Sequence, residues 1–333
     1  MKLTDIGEFG FIDRISPLGA VRPAGVVKGI GDDCAVIAVD GPEYLLVTTD
    51  LFVERVHFLI HWATPEMVGA KALAVNLSDI AACGGRPLDA FISLAIPERV
   101  ELEWLEAFYQ GMAALAREHQ VNLLGGDTTG SRSDLVINVA VTGLVGREEV
   151  LYRHTARRGD VIALTGPIGA SAAGCEVLLN SAQLPERVAD VLVQAHLRPR
   201  AHVKEGRLLA SSRGCTAAID VSDGLSSDLG HLCKGSGLGA RLYEDRLPRT
   251  AELTEAAAVM GRDPLVWMLD GGEDYVLLVA VRAAMLDEIM AMMEAHGCAL
   301  HPIGEFVGEA GITIRRCDGT DLPVAAHGWD HFR

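Results

Sequence analysis

The sequence predicts an α/β protein in two domains. Three observations lead there. Strand-like and helix-like stretches alternate along the chain, 49% of residues are hydrophobic with 36 glycines to serve the turns, and 333 residues can bury roughly two cores of ordinary size.

The elements follow in order. "YLLVTTD" (44–50) reads as a buried strand. "TPEMVGAKALAVNLSDIAACGG" (64–85) reads as a helix that Thr64 can cap, Pro65 can start and Gly84 can end. "DAFISLAI" (89–96) is a strand and "ELEWLEAFYQGMAALAREH" (101–119) an amphipathic helix. "VNLLGG" (121–126) and "DLVINVAVTGLVG" (134–146) are further strands. The polar segment "REEVLYRHTARRGD" (147–160) is poor in aliphatic residues, so a boundary is expected near 150, giving domains 1–149 and 150–333. A second set then runs as strand "VIALTG", helix "ASAAGCEVLLNS", helix "RAHVKEGRLLASS", strand "TAAIDV" and helix "LSSDLGHLCKGS". "GARLYE", a helical stretch over 251–270, strand "YVLLVAV" and helix "AMLDEIMAMMEAHG" complete it.

Composition excludes several classes. The net charge of −16 argues against a nucleic-acid binder, which shows a basic face. The 7 cysteines are dispersed with no CxxC pair, so neither a disulfide framework nor a zinc site is expected. The start "MKLTDIGEFGFIDRI" lacks an apolar signal core, and no apolar run approaches the roughly 18 residues of a membrane span. A cytoplasmic protein without membrane partners is the expectation.

The chemistry lies in acidic clusters beside glycine-rich turns. "GIGDDCAV" (29–36) sets Asp32 and Asp33 before a strand. Asp50 closes "LLVTTD", Asp79 sits in "NLSDIAACGG", and Asp127 in "LLGGDTT". Asp220 and Asp223 lie in "IDVSDGL", and Glu273 and Asp274 in "LDGGEDY". Loops at strand ends are where α/β proteins hold ligands. Asp79 breaks a local rule: it stands among apolar residues about one turn before its helix ends, where the dipole disfavours a carboxylate. A structural hydrogen bond is the other reading of it. Taken singly, the remaining motifs could be turns or caps, with Ser222 or Asp223 capping the next helix. Taken together, hard oxygen ligands at several strand ends suit Mg²⁺. Walker A, kinase and nucleophile-elbow motifs are missing, and "KGIGDD" stops short of a dinucleotide fingerprint. The loop "TGPIGASAAG" (165–174) could be an anion site or a tight turn.

"GIGDDCAV", "VTTDLFVERVHF", "KALAVNLSDIAACGGRP", "LLGGDTT", "IDVSDGLSSDLGHL", "GGEDY" and the closing "HGWDHF" resemble the bacterial thiamine-monophosphate kinases. That family lies in the superfamily of aminoimidazole-ribonucleotide synthetase, selenophosphate synthetase and the hydrogenase maturation dehydratase. The resemblance implies a two-domain aminoimidazole-ribonucleotide-synthetase-like fold, with N-terminal sheets paired across a homodimer. It implies transfer of the ATP γ-phosphoryl group to thiamine monophosphate, giving thiamine diphosphate and ADP. It would assign several Mg²⁺ ions to Asp33, Thr48, Thr49, Asp50, Asp79, Asp127, Asp220 and Asp223. ATP would meet Gly126, Asp127, Arg153 and Ser222; thiamine monophosphate would meet His57, Glu273 and Trp329. No protein general base is implied, because the acceptor phosphate is already deprotonated. Two alternatives stand beside this one. One is another superfamily enzyme that uses ATP to activate an oxygen as a phosphate ester; the other is a non-catalytic Mg²⁺ or nucleotide binder.

Overall fold

The computed structural model describes residues 2–19, 21–180, 183–325 and 328. Helix α1 (Gly7–Gly19) leads into a first sheet made of β1 (Val26–Lys28), β2 (Ala35–Ala38), β3 (Glu43–Val53), β4 (Arg86–Pro97), β5 (Asn122–Ser131) and β6 (Val136–Gly146). Helix α2 (Pro65–Ala82) joins β3 to β4, and α3 (Leu102–Glu118) joins β4 to β5. The strand order is β1-β2-β3-β6-β4-β5. Only β4 and β5 pair in parallel, with α3 as the crossover such a pair requires.

The second sheet contains β7 (Val161–Leu164), β8 (Cys215–Asp220), β9 (Gly239–Tyr243), β10 (Leu277–Val281), β11 (His301–Val307), β12 (Ile312–Arg315) and β13 (Asp321–Val324). Its order is β13-β12-β9-β11-β7-β10-β8, antiparallel except for β12 beside β9. Between β7 and β8 run α4 (Ala170–Asn180), α5 (Glu186–Leu197) and α6 (Val203–Ser211). Helix α7 (Leu225–Ser236) follows β8; α8 (Ala251–Met260) and α9 (Pro264–Asp270) precede β10, and α10 (Leu286–Ala295) follows it.

Alternation along β10 divides the interior. Leu277, Val279 and Val281 join the core around α2, whereas Leu278 and Ala280 join a second core under α4, α5, α7, α8 and α9. Helix α2 lies between the sheets, against β3 and β6 on one side and α6, β8 and β10 on the other. Burial therefore runs around the whole helix from Val68 to Ala82, as its apolar sequence requires. Thr64 Oγ1 accepts from the Met67 amide (3.4 Å) at its start, with Pro65 in the first turn. Helix α6 seats on α2 through Gly206, where a Cβ would fall 2.1 Å from the Ala81 carbonyl oxygen.

Some elements depart from the sequence expectation. The helical stretch over 251–270 is two helices, divided at Gly261 in the left-handed region (φ 62°), with Asp263 capping the Leu265 amide. Helices α1 and α5 and strands β11, β12 and β13 were not anticipated. Pro17 in α1, Pro302 and Gly304 in β11 and Pro323 in β13 are residues that propensity argues against.

Candidate metal and phosphate site

The acidic residues converge where α2 ends between the two sheets. Alternation in β3 turns Thr48 and Asp50 inward toward α2 and Thr49 and Leu51 outward. The last turns of α2 carry Ser78 and Asp79. The turn before β2 brings Asp33, and β8 ends on Asp220. Carboxylate oxygens of Asp33, Asp79 and Asp220 lie within 4.8 Å of one another. Thr48 Oγ1 donates to Asp79 Oδ2 (2.5 Å), and Ser78 Oγ donates to Asp220 Oδ2 (2.6 Å). Asp50 neighbours Asp79, and its charge acts on the Asp79 carboxyl. Asp79 thus makes a structural hydrogen bond and also belongs to the charge cluster.

Burial and repulsion both act on these groups. Asp220 is pushed up to about 7, first by burial and then by the charge of Asp33. Asp50 rises to about 6 for the same two reasons. Asp79 rises well above the ordinary carboxylate range through burial, then through Asp50, Asp220 and Asp33. A set of hard oxygens held this close, and resisting ionisation because of it, fits a divalent cation with oxygen ligands.

The two adjacent aspartates are held by different parts of Arg153. Arg153 grips Asp33 with both arms of its guanidinium, NH2 to Oδ1 at 2.6 Å and Nε to Oδ2 at 3.1 Å. Asp32 instead accepts the Arg153 backbone amide (3.2 Å), with Lys28 Nζ and His154 Nδ1 each 3.7 Å away. Gly31 (φ 109°) makes the turn that presents them. Asp32 orders the loop, and Asp33 faces the cluster.

A second group borders the first. Glu273, on the loop before β10, receives Lys71 Nζ at 3.1 Å, with His196 Nδ1 at 3.2 Å. Burial opposes the Glu273 charge, but Lys71, His196 and His57 together outweigh it and hold the carboxyl below its ordinary range. His57 adds to that field, and its Nδ1 accepts the Val53 amide (3.0 Å). The Ser222 carbonyl accepts the Glu273 amide (2.8 Å). Neither Ser222 nor Asp223 caps α7: the cap position is Gly224, and Asp228 Oδ2 accepts the amides of Asp223 (3.2 Å) and Gly224 (3.1 Å).

Other candidates lie elsewhere. Sheet register aligns Leu51, Asn138, Ser93 and Asp127 in one row. Asp127 therefore shares the outer face with Thr49, whose Oγ1 accepts from Asn138 Nδ2 (2.9 Å), on the far side from Thr48 and Asp50. Gly126 (φ 148°) must be glycine, since a Cβ would sit 1.6 Å from the Ile92 carbonyl oxygen. Trp329 lies outside the described residues. The glycine-rich loop at 165–174 already holds an internal carboxyl: Asp274 accepts the amides of Gly169 (2.6 Å) and Ser171 (3.2 Å) at the start of α4, while burial pushes it up to about 7.

Sequence reasoning passed over Lys71, Ser78 and His196. Lys71 did leave a signal, a lone cation in the apolar run "VGAKALAV". His196 carried none, because its helix was not anticipated.

Comparison with known proteins gives concordant findings. Residues 31–145 match the family model "AIR synthase related protein, N-terminal domain", and residues 157–316 match "AIR synthase related protein, C-terminal domain". The thiamine-monophosphate kinase of Salmonella typhimurium is 38% identical over 98% of each chain. That of Bacillus subtilis is 34% identical over 98% of this chain and 99% of its own. Among solved structures, AaThiL complexed with AMPPCP and TMP superposes with a TM-score of 0.85 at 33% identity, covering 99% of both chains. By its residues, its two sheets and these relatives, the chain belongs to the thiamine-monophosphate kinase family of AIR synthase related proteins.

Proposed function

We propose that the protein transfers the γ-phosphoryl group of ATP to thiamine monophosphate, giving thiamine diphosphate and ADP, with Mg²⁺ as cofactor. The observation that carries the reading is the approach of the Asp33, Asp79 and Asp220 carboxylates to within 4.8 Å of one another. Two phosphate-bearing substrates repel, and a phosphate monoester holds about −1.5 to −2 charges near neutral pH. Mg²⁺ bound there would neutralise that repulsion and polarise the transferred group.

Asp33, Thr48, Asp50, Asp79, Asp220 and Asp223 would hold metal from this face of the sheet, and Thr49 and Asp127 from the outer face. Gly126, Asp127, Arg153 and Ser222 would contact ATP. The Arg153 guanidinium, now on Asp33 at 2.6 Å, is a two-pronged donor suited to a phosphate. His57, Glu273 and Trp329 would meet thiamine monophosphate, with the Trp face available to a flat or cationic ring. The residues then bind, align and screen; none needs to remove a proton from an acceptor that is already anionic.

We take 1–149 and 150–333 as the two domains and a homodimer as the working form, joined through the N-terminal sheets. Among the described residues no helix is long and apolar enough to cross a membrane, and the seven cysteines are free. Free thiols are in keeping with a reducing cytoplasm.

The test is incubation with ATP, Mg²⁺ and thiamine monophosphate. Thiamine diphosphate and ADP are expected in equal amounts. ATP consumption without thiamine diphosphate would transfer the protein to another phosphate-ester chemistry of the superfamily. No turnover with any phosphate acceptor would leave a binding protein.

A further inference from the structure

We propose that Lys71 is a positioning residue for the acceptor substrate: its ammonium, carried on α2, fixes the Glu273 carboxylate on the loop before β10. The inference rests on the reading of Glu273 as a contact of thiamine monophosphate.

The contact is built, and it crosses the molecule. Lys71 is 3% exposed on a helix packed against the first sheet, whereas Glu273 belongs to a loop feeding the second. Its Nζ lies 3.1 Å from Glu273 Oε2 and 5.8 Å from the centre of the Phe52 ring. His196 Nδ1 approaches the same Oε2 at 3.2 Å and is itself 3.1 Å from Ser171 Oγ. Both contacts fall on Oε2. Burial, and then the charge of Lys71, pull His196 down to about 4. The compensating charge is that of Lys71.

The loop itself needs holding. Glu273 (φ 63°) and Tyr275 (φ 51°) both lie in the left-handed region, which side chains other than glycine and asparagine avoid. Strain of this kind persists where surrounding bonds over-determine it. Here the Glu273 amide donates to the Ser222 carbonyl, the Tyr275 amide to the Val221 carbonyl (2.9 Å), and Asp274 fastens to the start of α4. Those bonds fix the backbone, and Lys71 fixes the side chain. A buried ion pair is a weak source of net stability compared with an apolar pair of the same shape. A lysine in the middle of an apolar helix is therefore better explained by where it puts Glu273.

Steady-state kinetics on Lys71→Met, Lys71→Arg, Glu273→Gln and the Lys71→Met/Glu273→Gln double variant test this. Lys71→Met should raise KM for thiamine monophosphate at least tenfold while leaving KM for ATP within about twofold, and Lys71→Arg should recover part of the loss. In the Glu273→Gln background, removing Lys71 should change KM less than twofold, because the carboxylate it positions is gone. A fall in kcat with both KM values unchanged would overturn the inference, as would effects that multiply in the double variant. Should Lys71→Met alone not fold, the double variant, which buries no charge, still decides by comparison with Glu273→Gln. Wild-type protein that makes no thiamine diphosphate would sink the functional reading and this inference together. Wild-type turnover with an unshifted Lys71→Met would sink this inference alone.

Discussion

Asp220 illustrates how a single side chain trades stability for a binding site. It is 2% exposed at the end of β8, and burial, followed by the charge of Asp33, raises its carboxyl to about 7. Its folded value exceeds its unfolded value, so the native state binds the proton more tightly. The destabilisation is then complete above about pH 7 and fades as pH falls toward 4. Asp220→Asn should raise the melting temperature of the metal-free protein by a few degrees at pH 8, where roughly 2–4 °C corresponds to 1 kcal/mol. That advantage should shrink between pH 7 and pH 5, and turnover should be lost. Thermal melts across that range check the sign: a variant less stable than wild type at pH 8 would show that the carboxylate acts as a structural acceptor for Ser78. Of the neighbouring residues, Asp79 was legible in the sequence because it broke a helix rule among apolar neighbours. Its link to Thr48 was not, since 31 residues separate them and only the strand pairing closes that distance. The same holds for Arg153, which reads as one arginine among several in a polar linker until the fold lays it on Asp33.

At the scale of elements, α2 decides the architecture. Its sequence is apolar all round, and that pattern alone places it in the interior. What it packs against depends on small residues whose role a periodicity cannot reveal. Gly206 allows α6 to approach until a Cβ would stand 2.1 Å from the Ala81 oxygen, near the end of α2 that carries Asp79. Gly206→Ala should therefore cost about 1–3 kcal/mol, the usual penalty of overpacking. Denaturant melts would measure it, and a neutral result would mean that α6 can move away freely. The strongly periodic or uniformly apolar elements, β3, β4, β6, β7, β10, α2 and α3, were all readable. Strands β11 and β13 were not, since Pro302, Gly304 and Pro323 oppose strand propensity and only pairing with β7, β9 and β12 overrides it. Helix α5 is amphipathic yet escaped notice. Nor could the loop before α4 be resolved from its glycines alone, because the carboxyl it holds, that of Asp274, lies 105 residues away from Gly169.

At the scale of the whole molecule, one face of the first sheet has no cover among the described residues. Leu51 and Phe91 there are 59% and 41% exposed, and Leu124 on the edge strand β5 is 59% exposed. An apolar face beside an unpaired edge invites association. Thr49 and Asp127 stand on that same face, turned away from Asp50, and Asp127 is also three strands from it within one chain, although both are expected at the metal and nucleotide site. A second copy pairing through this face would supply them. Sedimentation should give twice the chain mass, and Leu51→Arg should yield monomers that fold but turn over poorly. Complementation sharpens the point. Asp50→Asn and Asp127→Asn should each be inactive alone. If the site takes Asp50 from one copy and Asp127 from the other, a mixed dimer contains one site with both native aspartates. Mixing the two variants under exchange conditions should then restore up to a quarter of wild-type activity, since half of the dimers are mixed and each regains one site of two. No recovery from subunits shown to exchange would mean that Asp127 serves its own chain, and that β5 must move to bring it there.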